Sequence, residues 1–74
     1  MNDFEGRILE YLKLNKQKFP LYHSTWQIAG YLKIFTPRAR KVLNKMQKDN
    51  LVCRSKYSQK NNIIWELLEE KENG

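Results

Sequence analysis

One stretch limits the folds open to this chain more than any other: Thr36-Pro37-Arg38-Ala39-Arg40-Lys41-Val42-Leu43-Asn44-Lys45-Met46-Gln47-Lys48-Asp49-Asn50-Leu51-Val52. Ala39, Val42, Leu43 and Met46 recur at i, i+3, i+4 and i+7, the spacing that puts one narrow apolar stripe on an α-helix and turns it toward a core. The pattern predicts a helix over 36–49. Thr36 has the side-chain oxygen of an N-cap, and Pro37 suits the next position because its missing N–H would have no partner there. Asn50 tolerates the left-handed conformation that closes a helix, and Leu51-Val52 returns the chain to apolar surroundings. At about 100° per residue, Pro37, Lys41, Asn44 and Lys48 stand opposite the stripe, with Arg38 and Lys45 on one flank and Arg40 on the other. No carboxylate interrupts that face, and Asp49 is the nearest acid.

The charge extends beyond this helix. The 74 residues carry 14 Lys and Arg against 8 Asp and Glu. Residues 11 to 65 hold twelve of those basic side chains and the single carboxylate of Asp49, a net of +11, while the other acids gather at the ends. A field of that kind steers association with a polyanion without dictating a fold. Seventy-four residues make one domain whose core supplies only about 3–5 kcal/mol of net stability, too small for an enzyme with an elaborate pocket. Cys53 is the only cysteine, so neither an internal disulfide nor a thiolate pair for zinc is available. An intracellular domain without metal or cofactor is expected. No apolar run approaches the roughly 20 residues that span a bilayer, and Asn2-Asp3 does not open a signal peptide, so a cytoplasmic location is expected.

Around the basic helix the chain divides readily. Phe4, Ile8, Leu9 and Leu12, widened by Tyr11, predict a first helix over 3–17 capped by Asp3. Gly6 weakens its first turn, Lys13, Lys16 and Lys18 crowd its end, and Phe19-Pro20 stops it. Leu21-Tyr22-His23 reads as a short extended piece able to supply a third strand. Ser24 or Thr25 caps a second helix whose buried side is Ile28, Ala29, Leu32 and then Phe35, ending near Lys33. Only Lys33-Ile34-Phe35 then separate it from Thr36, a corner so short that the two helices cross steeply. Leu51 to Tyr57 and Ile63 to Leu68 flank the turn-rich Ser58-Gln59-Lys60-Asn61-Asn62 and read as a hairpin with a basic tip. Trp65 belongs in the core or against the first helix. The expected fold is a small α+β domain over 1–68, three helices with a two- or three-stranded antiparallel sheet, followed by an acidic flexible tail over 69–74.

From about Phe4 to Leu68 this order of elements resembles a winged helix-turn-helix domain. The residues match as well: Ser24-Thr25-Trp26-Gln27-Ile28-Ala29-Gly30-Tyr31-Leu32-Lys33-Ile34 is similar to the family's cap, Ile-Ala pair and following Leu. Ala39-Arg40-Lys41-Val42-Leu43-Asn44-Lys45-Met46 with Asn50-Leu51-Val52 is similar to its recognition helix running into the first wing strand. Bacterial and phage regulators of the MarR and GntR kind, and the N-terminal domains of some phage replication initiators, share the layout. Asn50 stands where the family commonly has glycine, and the extra dimerisation helices of many members are missing. The resemblance implies a double-stranded DNA-binding fold of prokaryotic, viral or plasmid origin, with helix 36–49 in the major groove and hairpin 51–68 as the wing.

On that reading Arg38, Arg40, Lys41 and Asn44, with Pro37 beside them, enter the groove; Arg40 and Asn44 read bases. Thr36, Lys45 and Lys48 touch phosphate, and Arg54, Lys56, Gln59 and Lys60 of the hairpin grip the backbone alongside. The plainer alternatives are a solvated lysine-rich helix face and an ordinary polar turn. Trp26 is left with three uses: a phosphate contact, a protein contact, or packing against Leu21-Tyr22. His23 stands without a Cys or carboxylate cluster, and no nucleophile-base constellation or phosphate-binding loop is present, so a non-enzyme is expected. The expected function is sequence-specific regulation of transcription, repressor-like, with a homodimer as one way to reach useful affinity. The alternatives are a protein-interaction adaptor engaging RNA polymerase or a replication protein through Trp26 or Tyr31, and non-specific nucleic-acid binding.

Overall fold

A computed structural model describes residues 3–16 and 20–68. It is an α+β domain of three helices and a two-stranded antiparallel sheet: α1 Phe4–Leu14, α2 Thr25–Leu32, α3 Thr36–Lys48, β1 Val52–Arg54 and β2 Trp65–Leu67. The strands pair Val52 with Leu67, Cys53 with Glu66 and Arg54 with Trp65. Each element contributes to a single core: Ile8 and Leu12 from α1, Ile28 and Leu32 from α2, Leu43 and Met46 from α3, Val52 from β1 and Trp65 from β2. Trp65 is fully buried there. The expected tail over 69–74, together with Lys18 and Phe19, lies outside the described residues.

Helix α1 stops at Leu14, short of the expected residue 17. Its last carbonyls are taken up early: Asn15 returns its side-chain amide to the Tyr11 carbonyl (2.8 Å), and the His23 Nε2–H donates to the Asn15 carbonyl oxygen (2.7 Å). Asp3 occupies the N-cap position, but its side chain makes no capping hydrogen bond. The His23 bond accompanies another departure. Residues 20–23 form a 3-10 turn rather than a strand, because the tighter rise folds His23 back under the end of α1. The expected third strand shrinks to one bridge, Ser24 with Ile64.

That bridge leads straight into α2. The Ser24 hydroxyl accepts from the Gln27 N–H (3.2 Å) as a true N-cap. Thr25, buried beside it, donates its hydroxyl to the Ile63 carbonyl (3.3 Å) and accepts the Trp65 indole N–H (2.8 Å). One hydroxyl thus fastens α2 to the base of the hairpin.

At the other end of α2, Lys33 adopts φ 61, ψ 44. Lys33 N–H bonds the Gly30 carbonyl (3.2 Å) and Ile34 N–H the Ala29 carbonyl (3.1 Å), the paired bonds of a Schellman ending. An L-residue with a Cβ pays about 1 kcal/mol for that conformation. Replacing Lys33 with glycine should therefore raise stability by roughly 0.5–1 kcal/mol, about 4 °C in melting temperature; an unchanged or lowered midpoint in thermal unfolding would contradict the strain. The turn sends Ile34 toward the core and Phe35 outward, 85% exposed, so Phe35 does not extend the buried side of α2 as its spacing suggested.

Phe35 also replaces Thr36 as the N-cap of α3, since its carbonyl accepts from Arg38 (3.0 Å) and Ala39 (3.1 Å). No side chain caps this end, and Thr36 and Pro37 are the first two helical residues. The far end follows the sequence. Asn50 takes φ 63, with its N–H on the Gln47 carbonyl and the Leu51 N–H on Met46. The strands are shorter than expected because hydroxyls take over the ladder beyond Arg54: Ser55 N–H and the Ser58 hydroxyl both donate to the Ile64 carbonyl, and Ser58 Oγ accepts the Ile64 N–H (2.9 Å).

Candidate nucleic-acid interface

The apolar stripe of α3 buries Ala39, Leu43 and Met46 against α1 and α2, with Val42 half-buried at its edge. Burial of one face fixes what the opposite face presents. Pro37, Arg38, Arg40, Lys41 and Asn44 are all exposed and line one open depression. Lys48 is exposed one turn beyond Asn44, and Thr36 is half-buried at the start of the helix. Among the described residues no carboxylate pairs with Arg40, Lys41 or Lys48. Their charge is available to an outside partner.

The flank that faces α1 is different. Lys45 Nζ meets Asp49 at 2.9 Å and Glu5 of α1 at 3.4 Å, and Asp49, then Glu5, hold its ammonium above the usual lysine value. The face is therefore not free of acids, since a carboxylate forty positions away reaches its edge. Arg38, on the same flank, has its guanidinium 5.1 Å from the centre of the Phe4 ring. That contact places the cation over the ring without neutralising it.

The hairpin candidates stand apart from this depression. Arg54 lies over the Trp65 ring at 5.7 Å and Lys56 over the Tyr57 ring at 5.6 Å. Gln59 and Lys60 are exposed at the tip, where Gln59 and Asn62 exchange backbone hydrogen bonds (2.9 and 3.0 Å). The tip has a definite shape: Tyr57 N–H bonds the Ser55 hydroxyl and Ser58 N–H the Ser55 carbonyl. Tyr57 itself is 57% exposed rather than packed in the sheet.

Two other groups weighed in the sequence are accounted for. His23 is buried with its Nε2 on a backbone carbonyl, and among the described residues no cluster of His, Cys, Asp and Glu could hold a metal ion. Burial, and then Glu66 across the ladder, push the Cys53 thiol up, which keeps it protonated at neutral pH. Trp26 is 53% exposed. Tyr31 is tied down instead: its ring lies 4.7 Å from that of Tyr11 and under the Arg7 guanidinium at 5.5 Å. Tyr11 in turn donates to the Tyr22 carbonyl (2.8 Å), and desolvation raises its phenol.

The residue missed from sequence is Phe35, the most exposed of the large apolar side chains among the described residues. The phase of one helix does not carry across a left-handed corner, so the spacing from Leu32 does not place Phe35. Among the described residues no helix is long and apolar enough to cross a membrane. No protein-family model matches the chain, and neither a curated protein nor a solved structure matches it significantly.

Proposed function

We propose that the chain is a winged helix-turn-helix domain that binds double-stranded DNA sequence-specifically and acts as a repressor-like regulator of transcription. The observation that carries this reading is the convergence of Pro37, Arg38, Arg40, Lys41 and Asn44 on one exposed face of a helix whose other face is locked into the core. A helix about 10–12 Å across with its side chains fits a major groove about 12 Å wide. Arginine and asparagine are the side chains that bond guanine and adenine edges bidentately, which favours Arg40 and Asn44 as base readers over a merely solvated face. Lys41 and Lys48 neutralise phosphates and release counterions; Lys45, already paired, contributes less. Arg54, Lys56, Gln59 and Lys60 serve as the wing, gripping backbone beside the groove. One such domain makes few contacts, so two copies on a repeated or palindromic site supply the affinity a repressor needs.

The test is selection of duplexes from a random DNA pool, followed by titration of the winner and a scrambled duplex at several salt concentrations. Specific enrichment is expected, with a log–log salt slope of about −4 to −6 from roughly five or six phosphate contacts. Equal binding of both duplexes would leave only non-specific association, and no binding at low salt would end the DNA reading. In that event the exposed Trp26 ring favours a protein-interaction adaptor as the second reading.

A further inference from the structure

The first turn of α1 reaches the edge of the α3 face at two points. Phe4, half-buried and packed against the core, has its ring centre 5.1 Å from the Arg38 guanidinium, and the neighbouring Glu5 accepts from Lys45 at 3.4 Å. The two contacts differ in what they leave available. Glu5 balances the Lys45 charge, whereas a ring face attracts the Arg38 cation without supplying the oxygen acceptors that would satisfy its fork of N–H donors. Arg38 forms no ion pair among the described residues, is exposed, and lines the depression with Pro37, Arg40, Lys41 and Asn44. Arg40 lines it too, but among the described residues neither a ring nor a carboxylate holds its guanidinium. Of the two arginines, Arg38 is the one drawn to a set place before a ligand arrives.

We infer, resting on the DNA-binding reading above, that Phe4 is a positioning residue that holds Arg38 for bidentate contact with a guanine, which makes Arg38 a third base reader beside Arg40 and Asn44. Arg38 is the third residue of α3, in the N-terminal turn, and the N-terminal residues of a helix laid in the groove are those that meet base edges. Guanine presents two acceptors there, O6 and N7, spaced to suit the guanidinium fork. A free arginine side chain gives up rotamer freedom when it is fixed against a base, and one already stacked on a ring has less to give up. The result is a guanine preference that depends on a side chain of α1 as well as on α3.

The experiment replaces each guanine of the selected duplex in turn by 7-deazaguanine, which keeps its base pairing and loses the N7 acceptor, and titrates the wild-type chain, Arg38→Ala, Phe4→Leu and the double variant. Wild type should lose roughly three- to ten-fold in affinity at one guanine of the site, the scale of one bond of a bidentate pair, and Arg38→Ala should be indifferent to that replacement. Phe4→Leu keeps an apolar side chain but removes the ring face. It should bind the unmodified duplex roughly two- to five-fold more weakly, the scale of an exposed cation–π contact, and should change nothing in the Arg38→Ala background. If circular dichroism shows Phe4→Leu unfolded, pentafluorophenylalanine at position 4, which keeps the ring and reverses the charge of its face, takes its place with the same expectation. Equal losses with and without Arg38 would reduce the ring to a support of the fold, and no loss in either background would mean that Arg38 finds its own place; both results overturn the positioning. A wild-type chain that enriches a duplex but is indifferent to every 7-deazaguanine, or an Arg38→Ala chain that keeps the sensitivity, would remove the guanine contact and leave the DNA reading standing. Failure of the wild type to enrich any duplex would remove both.

Discussion

Trp65→Ala should leave the domain largely unfolded at 25 °C. The indole is wholly buried at the meeting of the hairpin with the helices, and its N–H is bonded to Thr25 across forty residues of chain. Emptying a buried tryptophan site costs about 3–5 kcal/mol, and a core of this size supplies a net stability of about the same magnitude. Thr25→Val separates the two parts of that loss. It keeps the volume but strands the indole N–H, at about 1–3 kcal/mol for a buried donor without a partner. Urea unfolding followed by circular dichroism orders the variants: wild type, then Thr25→Val at a lower midpoint, then Trp65→Ala without a folded baseline. A Trp65→Ala midpoint equal to that of wild type would show that the hairpin is not part of the cooperative unit.

The second large effect concerns binding. If the chain binds DNA as proposed, Arg40→Ala with Lys41→Ala should weaken duplex binding by roughly 100-fold, relax the base preference assigned to Arg40, and make the salt slope shallower by about one unit. Both side chains are exposed and neither forms an ion pair among the described residues, so the unfolding midpoint should not move. Lys45→Ala is the internal comparison. Its ammonium is already balanced by Asp49 and Glu5, and its removal should cost distinctly less affinity than Lys41→Ala in the same fluorescence titration. Equal losses at the two lysines would mean that Lys45 leaves its carboxylates on binding. A double variant that bound DNA undiminished would exclude the α3 face as the interface.

Local chemistry made much of this fold legible. The 3.6-residue periodicity of Ala39, Leu43 and Met46 marked the buried side of α3, the pair Ser24-Thr25 marked the start of α2, with Ser24 the actual cap, and Asn50 marked a left-handed ending without glycine. The departures share a cause: each depends on a neighbour distant in the chain or on a turn whose residue type does not announce it. Lys33 gives no sign of taking a positive φ, and with that unseen the exposure of Phe35 and the one-residue shift of the α3 cap were unseen too. Residues 21–23 are apolar and aromatic enough for a strand, but the carbonyl of Asn15 claims His23. The pairing of Lys45 with Glu5 needs α1 and α3 to be docked before it exists. The exposed Pro37, Arg38, Arg40, Lys41 and Asn44 followed from periodicity alone, because a helix with one buried stripe has only one opposite side.

The hairpin is fastened at its base and organised separately at its tip. Ser24 and Thr25 hold Ile63, Ile64 and Trp65 to α2, whereas Ser55 and Ser58 shape residues 56–62 through bonds that stay within the hairpin. Lengthening a loop costs only about 0.6 kcal/mol per doubling of its length, and none of the core residues lies in the tip. Residues 56–62 therefore form a replaceable tip: changing their length or charge alters the reach of the hairpin and leaves the α3 surface intact.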